Sequence, residues 1–138
     1  MNRPTLFLTV GLPGTGTTTA AATVVLDAVR TSPPDRLHVH LVAGPDLGPL
    51  AGLPHVGAVI GPDDHERQRR LLADLAADLA TRRTDHGGAS TEDRTSPNRL
   101  LVVDGIGTFR RRWDDLDPSA TWSHLLDLAT HGPAVGLH

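Results

Sequence analysis

The sequence predicts an α/β fold, a mainly parallel sheet with helices flanking its faces. Three observations carry that expectation. Short β-prone apolar runs (Thr5–Val10, Leu37–Gly44 and "RLLVVDG" from Arg99) are separated by stretches with helical periodicity; that alternation calls for parallel strands joined by covering helices. The first run is nearly continuous rather than alternating, as strands buried on both faces are, and "RLLVVDG" reads as a further buried strand. The first run also ends directly in a glycine-rich loop that opens a helix, a common junction in such sheets.

The elements follow in order. "TLFLTV" (Thr5–Val10) reads as the first strand, and the loop Gly11–Gly16 follows it. "TTTAAATVVLDAVR" reads as a helix with alanines on its tightly packed side and Val25, Leu26 and Val29 buried, stopped by "TSPPD". Leu37–Gly44 is the second strand. "PDLGPLAGLPHVGAVIG" is loop-rich, with a short strand at Val56–Ile60. After Pro62, Asp63 and Glu66 resemble a capping box, and Leu71, Leu72, Leu75 and Leu79 then recur on one helical face. Arg70 with Asp74 and Asp78 with Arg82 are spaced as i,i+4 pairs on the wet side. Thr84–Asn98 has almost no apolar residue and reads as a flexible surface loop. "RLLVVDG" is the third buried strand; a helix near Thr121–Thr130 and the start of a strand at "AVGLH" close the sequence.

Composition sets limits. With 138 residues, 38% apolar and 21% charged, the chain has one domain's length and enough apolar residues for a core of mostly Leu, Val and Ala. The absence of cysteine excludes disulfides and thiolate metal sites. No apolar run approaches the roughly 20 residues that span a bilayer, and no signal peptide is expected before the first strand. A formal charge of −3 gives no overall attraction to nucleic acid. All 13 basic residues are arginine; there is no lysine.

That last fact bears on the loop. The phosphate-binding loop of nucleoside triphosphatases reads G-x-x-x-x-G-K-S/T, and Gly11, Gly14, Gly16 and Thr18 fall where they should. Thr17 stands in the lysine's place. Glycines let the backbone turn so that amides converge on phosphate oxygens, and the next helix adds its positive end. These contacts, from Gly11, Leu12, Pro13, Gly14, Thr15, Gly16, Thr17, Thr18 and Thr19, need no lysine. Thr18 is placed to offer its hydroxyl to Mg²⁺. "LLVVD" matches the strand whose terminal aspartate, here Asp104, holds the metal's water shell. Hydrolysis fares worse. The lysine's charge on the phosphates is gone, and Gly105 stands where many such ATPases place a glutamate. No catalytic residue is therefore assigned. An ordinary strand-to-helix turn is the plainer reading of the same loop. A dinucleotide site fails, because the third glycine is missing and the second strand ends in Ala43-Gly44 without an acid.

The whole arrangement resembles the FtsK/SpoIIIE family of motor ATPases, most closely the EccC-type ATPase domains of type VII secretion. The resemblance rests on "LFLTVGLPGTGTT", on "LAGLPHVGAVIGPDDHERQRRLLADLAADL" with its "LPHV" turn, on "RLLVVDGIGTFR" and on "HGPAVGLH". It implies a RecA/FtsK-like P-loop NTPase fold over residues 1–138, truncated at the C-terminus where the family's sensor strand should run between the P-loop and Walker B strands. It implies ATP with Mg²⁺ as ligand, contacts at Gly11–Thr19, and metal contacts at Thr18 and Asp104. Neighbouring ATPase domains and a secreted protein are the implied partners, in the cytoplasm or at the cytoplasmic face of the membrane. DNA binding follows from kinship alone. With Thr17 and Gly105 substituted, the domain is expected to be degenerate, a docking or regulatory unit. Two alternatives remain: a small P-loop kinase or motor using an arginine for the missing lysine, whose arginine-bearing lid could only be the Thr84–Asn98 loop with Arg94 and Arg99, and an interaction module without nucleotide.

Other residues have structural readings. His38 and His40 share one strand face, without an evident third metal ligand. His55 belongs to the "LPHV" turn. Arg110–Arg112, followed by Asp114, Asp115 and Asp117, reads as a solvated loop or subunit contact, and Trp113 and Trp122 as packing residues. Because the resemblance puts further strands outside these 138 residues, the isolated chain is expected to be marginally stable. A cooperative thermal unfolding transition well above room temperature would contradict that expectation.

Overall fold

The computed structural model describes residues 11–12, 14–85, 96–116 and 120–138. The expected first strand, Thr5–Val10, lies outside them, as does most of the expected Thr84–Asn98 loop. Three strands form one parallel sheet in the order β2-β1-β3, where β1 is Leu37–Val42, β2 Val56–Ile60 and β3 Asn98–Val103. β1 and β3 pair in unbroken register from Leu37 opposite Asn98 to Val42 opposite Val103. β1 and β2 slip by one residue between Val39 and His40, where Gly57 lies against the His40 ring.

Alternation along β1 divides the core. Val39, Leu41 and Ala43 face one side with Leu100 and Val102, and there meet Val25 of helix α1 (Thr17–Thr31) and Leu47 and Leu50 of a 3-10 run, Pro45–Gly52. Val42, Ile60, Leu101 and Val103 face the other. That face is covered by α2 (His65–Asp85), α3 (Ile106–Leu116) and α4 (Ala120–His131). A sheet covered on both sides suits the apolar run that ends β1 and the one in β3, while His38 is exposed in the first half of β1. Leu26 departs from the expected buried stripe of α1: it is 44% exposed, because Val25 alone turns fully into the sheet.

The α2 stripe is as read, with Leu71, Leu72, Leu75 and Leu79 all buried. Its start is shifted by one residue. Asp64 accepts the Arg67 amide at 3.2 Å and acts as the cap, leaving Asp63 to pair with Arg112 of α3. Glu66 binds Arg69 and Arg70 instead of closing a capping box. Arg110–Arg112, expected in a loop, lie within α3. Its amphipathic logic is short-range: Phe109 and Trp113, four apart, are both buried, while Arg110 and Arg111 are exposed and Arg112 is half-buried. Trp113 donates to Gln68, which donates to the Gly61 carbonyl, a buried chain tying α3 to the end of β2.

At the N-terminal end of the sheet the charges are satisfied among themselves. Arg82 reaches Asp78 and the carbonyls of Val135 and Pro97; Arg99 reaches Asp74, Asp78 and His40. The Asp78–Arg82 pair forms as spaced, but in a largely buried place rather than on the wet side, while Asp74 pairs across to Arg99 and not with Arg70. Leu137 bridges Arg99 in parallel, so the strand expected at "AVGLH" does begin beside β3. His55 is buried against the Ser32 carbonyl.

His40 lies half-buried in β1. Among the described residues no group of three or more His, Cys, Asp or Glu is placed to hold a metal. Its Nε2 accepts from Arg99, so a proton there would confront a guanidinium. Burial first, then Arg99 and His38, pull its pKa down from 6.5 to about 4, against the opposing pull of Asp74. The folded state therefore holds His40 neutral where an unfolded chain would protonate it. That contribution to stability is complete above pH 6.5 and is lost progressively toward pH 4. Because the ring is only half-buried, screening limits it to about 1–2 kcal/mol. Urea unfolding at pH 7 and pH 4.5 should show the native protein losing about that much more than His40→Gln, which keeps an acceptor for Arg99. Equal losses in both proteins would refute the assignment.

Candidate functional site

The C-terminal ends of parallel strands form the edge where open α/β sheets bind ligands. Here that edge carries two segments far apart in sequence. One is the glycine loop that opens α1; the other is Asp104, directly after β3. β1–β3 register fixes the second, since the Asp104 amide donates to the Val42 carbonyl at 3.0 Å. Packing of Val25 against β1 fixes the first. They meet in one contact: Thr18 Oγ1 donates to Asp104 Oδ2 at 2.9 Å.

The loop is built on glycine. Gly14 and Gly16 have φ of 82° and 90°, in the left-handed region that side chains resist. Thr15 ties the turn, its amide and hydroxyl both donating to the Leu12 carbonyl, at 3.1 and 2.6 Å. A Cβ on Gly11 would collide with that hydroxyl and lie 3.0 Å from Thr17 Cγ2. Thr17 thus turns its methyl back toward Gly11, over the loop. Gly16 occupies the cap position of α1, and no side chain caps the helix there. The first-turn amides lack intrahelical acceptors, as at any helix start.

The sequence-predicted residues fall into place unevenly. Gly11, Leu12, Gly14, Thr15, Gly16 and Thr19 are exposed; Thr17, Thr18 and Asp104 are half-buried; Pro13 is outside the described residues. Among the described residues, Thr18 and Asp104 are the predicted pair brought together from separate elements, while Thr15 and Leu12 meet within the loop itself. Gly105, with φ 84°, turns the chain from Asp104 into α3. Arg99 sits at the opposite end of the sheet, five residues before Asp104 and roughly 15 Å away along the strand. Its guanidinium is engaged by Asp74 and Asp78. Arg94 lies outside the described residues.

Two supports were not legible in advance. Arg112 donates to the Pro62 carbonyl and to Asp63, and Gln68 holds Trp113, so α3 is braced against the end of β2 from both sides. The braced helix starts two residues after Asp104. Partners 45 to 50 positions apart leave no spacing signal.

The Thr18 and Asp104 oxygens fit a magnesium ion chemically. Both are hard oxygen donors. Neighbouring ligands of an octahedral Mg²⁺ stand about 3 Å apart at its usual bond lengths, close to the separation seen here.

Known proteins share the sequence and the fold. The chain is 31% identical over 93% of its length to the ESX-1 secretion system protein EccCb1 of Mycolicibacterium smegmatis, of which it spans 24%. It is 28% identical to ESX-4 secretion system protein EccC4 of Mycobacterium tuberculosis, matching over 94% of this chain and 11% of that one. The cytoplasmic domain of the type VII secretion ATPase EccC of Thermomonospora curvata superposes with a TM-score of 0.79 at 28% identity, over 94% of this chain and 16% of that one. An EccC from the same organism (ATPases 2 and 3), solved with a signal sequence peptide, superposes at 0.76 and 27% identity, over 94% of this chain and 25% of its own. The fold is thus that of EccC ATPase domains, a P-loop NTPase sheet with flanking helices. The FtsK/SpoIIIE family model matches residues 2–104, from before the loop to the aspartate that Thr18 holds, and the chain belongs to that family.

Proposed function

We propose that this chain is a nucleotide-binding domain of a type VII secretion ATPase that takes Mg·ATP weakly, hydrolyses it poorly, and works as a docking or regulatory unit. The observation that carries the reading is the 2.9 Å contact between Thr18 and Asp104. It joins the loop and the third strand into one site, as an ordinary strand-to-helix turn would not require. In this reading the amides of Gly14–Thr19 hold the phosphates, and Thr18 and Asp104 hold the metal. A bound magnesium ion would supply charge neutralisation on the phosphate oxygens.

Poor turnover follows from what stands beside these groups. A lysine at position 17 would add charge-assisted hydrogen bonds of about 1.5–3 kcal/mol each. Donors aimed at charge that develops during reaction typically govern rate by about 10²–10³-fold apiece. Thr17 offers a methyl, and Gly105 has no carboxylate to orient water. The docking role draws support from scale: the curated relatives are several times longer than the matched region. Neighbouring ATPase domains and a secreted protein's signal segment are the partners this reading implies, at the cytoplasmic face of the membrane.

Calorimetric titration with Mg·ATP, repeated on Thr17→Lys, tests the reading. Weak binding should tighten by about tenfold or more in the variant. Native turnover should fall at least about a hundredfold below the 1–10³ s⁻¹ usual for enzymes. Turnover in that ordinary range would refute the impairment. No binding by either protein would refute the nucleotide site and leave an interaction module.

A further inference from the structure

Helix α1 is thinly attached for the element that the glycine loop opens. Its inner side is mostly small: Ala21, Ala22 and Ala28 rest half-buried on the core, and Val25 is its only fully buried residue. Alanine methyls interlock little with what they touch, so packing alone leaves the tilt of such a helix weakly determined. Polar contacts hold its two ends. At the start, Thr18 donates to Asp104 at 2.9 Å. At the finish, His55 Nε2 donates to the Ser32 carbonyl at 2.7 Å, one of the acceptors that a helix end leaves without an internal donor. His55 is 8% exposed, and its own carbonyl accepts the Val39 amide at 2.8 Å, so the main chain anchors it to the sheet. Its Nδ1 has no hydrogen-bond partner among the described residues, which leaves Ser32 as the group the ring holds.

Thr18, Val25 and Ser32 follow one another at seven-residue intervals, and seven residues fall only about 20° short of two full turns. The three points therefore lie on one side of α1, with about 10 Å of helix on either side of Val25. They also meet three different strands. Asp104 directly follows β3, Val25 packs with Val39 and Leu41 of β1, and His55 directly precedes β2.

We propose that His55 is a positioning residue for the candidate site: by holding the end of α1, it sets the angle at which the helix start meets Asp104. What this means for a ligand rests on the nucleotide-binding reading above; the hold on the helix is a property of the fold. With Val25 as the fulcrum, release at Ser32 lets that end swing and moves Thr18 the opposite way. Hydrogen bonds weaken steeply with misalignment, so a small tilt is felt at the Thr18 hydroxyl. A buried histidine about 20 Å from Thr18 along the helix thereby governs the geometry of the loop it never touches.

The experiment measures the coupling between Thr18→Val and Asp104→Asn by double-mutant cycles in urea, in native, His55→Gln and His55→Leu backgrounds. His55→Gln keeps an N–H donor near the Nε2 position, whereas His55→Leu keeps bulk and removes the donor. Coupling should persist in His55→Gln and fall by about half or more in His55→Leu. Affinity for Mg·ATP, read by calorimetry, should drop about threefold or more in His55→Leu and be retained in His55→Gln. Because coupling is reciprocal, Thr18→Val with His55 intact should speed solvent exchange of the His55 ring N–H about threefold or more, as followed by NMR. That measurement decides the matter if His55→Leu does not fold. Undiminished coupling in a folded His55→Leu would overturn the proposal, as would equal losses in His55→Gln and His55→Leu. Unchanged ring exchange in Thr18→Val would overturn it too. If no variant binds Mg·ATP while the coupling falls as expected, the nucleotide reading fails and the positioning role of His55 stands.

Discussion

The hydrogen bond from Thr18 to Asp104 joins residues 86 positions apart, and the functional edge of the molecule depends on it. Its geometry is the sum of choices made elsewhere. The β1–β3 ladder, unbroken over six pairs, sets how far Asp104 projects beyond the sheet. Val25, fully buried against Val39 and Leu41, sets the axial position of α1 and with it the height of Thr18. Gly14 and Gly16 let the chain turn into that helix without strain. Had any of these slipped by one residue, side chains would point to the other face of the sheet and the two oxygens would not meet.

The two ends of the sheet use charge in opposite ways. At the N-terminal end, Arg82 and Arg99 are enclosed by Asp74, Asp78 and backbone carbonyls, and His40 is kept neutral beside them. Burial raises the Asp78 pKa, but hydrogen bonds and charge from Arg82 and Arg99 more than offset it and hold it low. That cluster is a structural clasp across α2, β1, β3 and the final turn. At the C-terminal end the carboxylate of Asp104 has, among the described residues, a hydroxyl partner and no guanidinium. Arginine's fork suits it to the closed network at one end. At the other end, the family's lysine position holds a threonine. The same all-arginine composition thus gives a saturated clasp and an unsaturated site.

Much of this was legible in the sequence because it is local. Short β-prone runs gave β1, β2 and β3; the leucine stripe gave α2; glycine spacing and the aspartate after "LLVV" marked the two segments that Thr18 and Asp104 join. What escaped was decided by tertiary contact. The α3 helix was hidden by a triple arginine that looks solvated until Phe109 and Trp113 are seen to turn inward together. Asp63 lost its capping role to Asp64 because Arg112 reaches it from another element. Arg70 and Asp74 have the right spacing, yet each finds a better partner, Glu66 and Arg99. Helical spacing shows which pairs can form; only the packed structure decides which of several partners wins.

The central claim is that the loop and the third strand form one physical unit through Thr18 and Asp104. A double-mutant cycle with Thr18→Val and Asp104→Asn, read as unfolding free energies in urea, tests it most directly. The account predicts a coupling energy of about 1 kcal/mol or more, as expected for a partly buried hydrogen bond to a charged group. Effects that add to within about 0.3 kcal/mol would show that the two residues do not sense each other, and would contradict it.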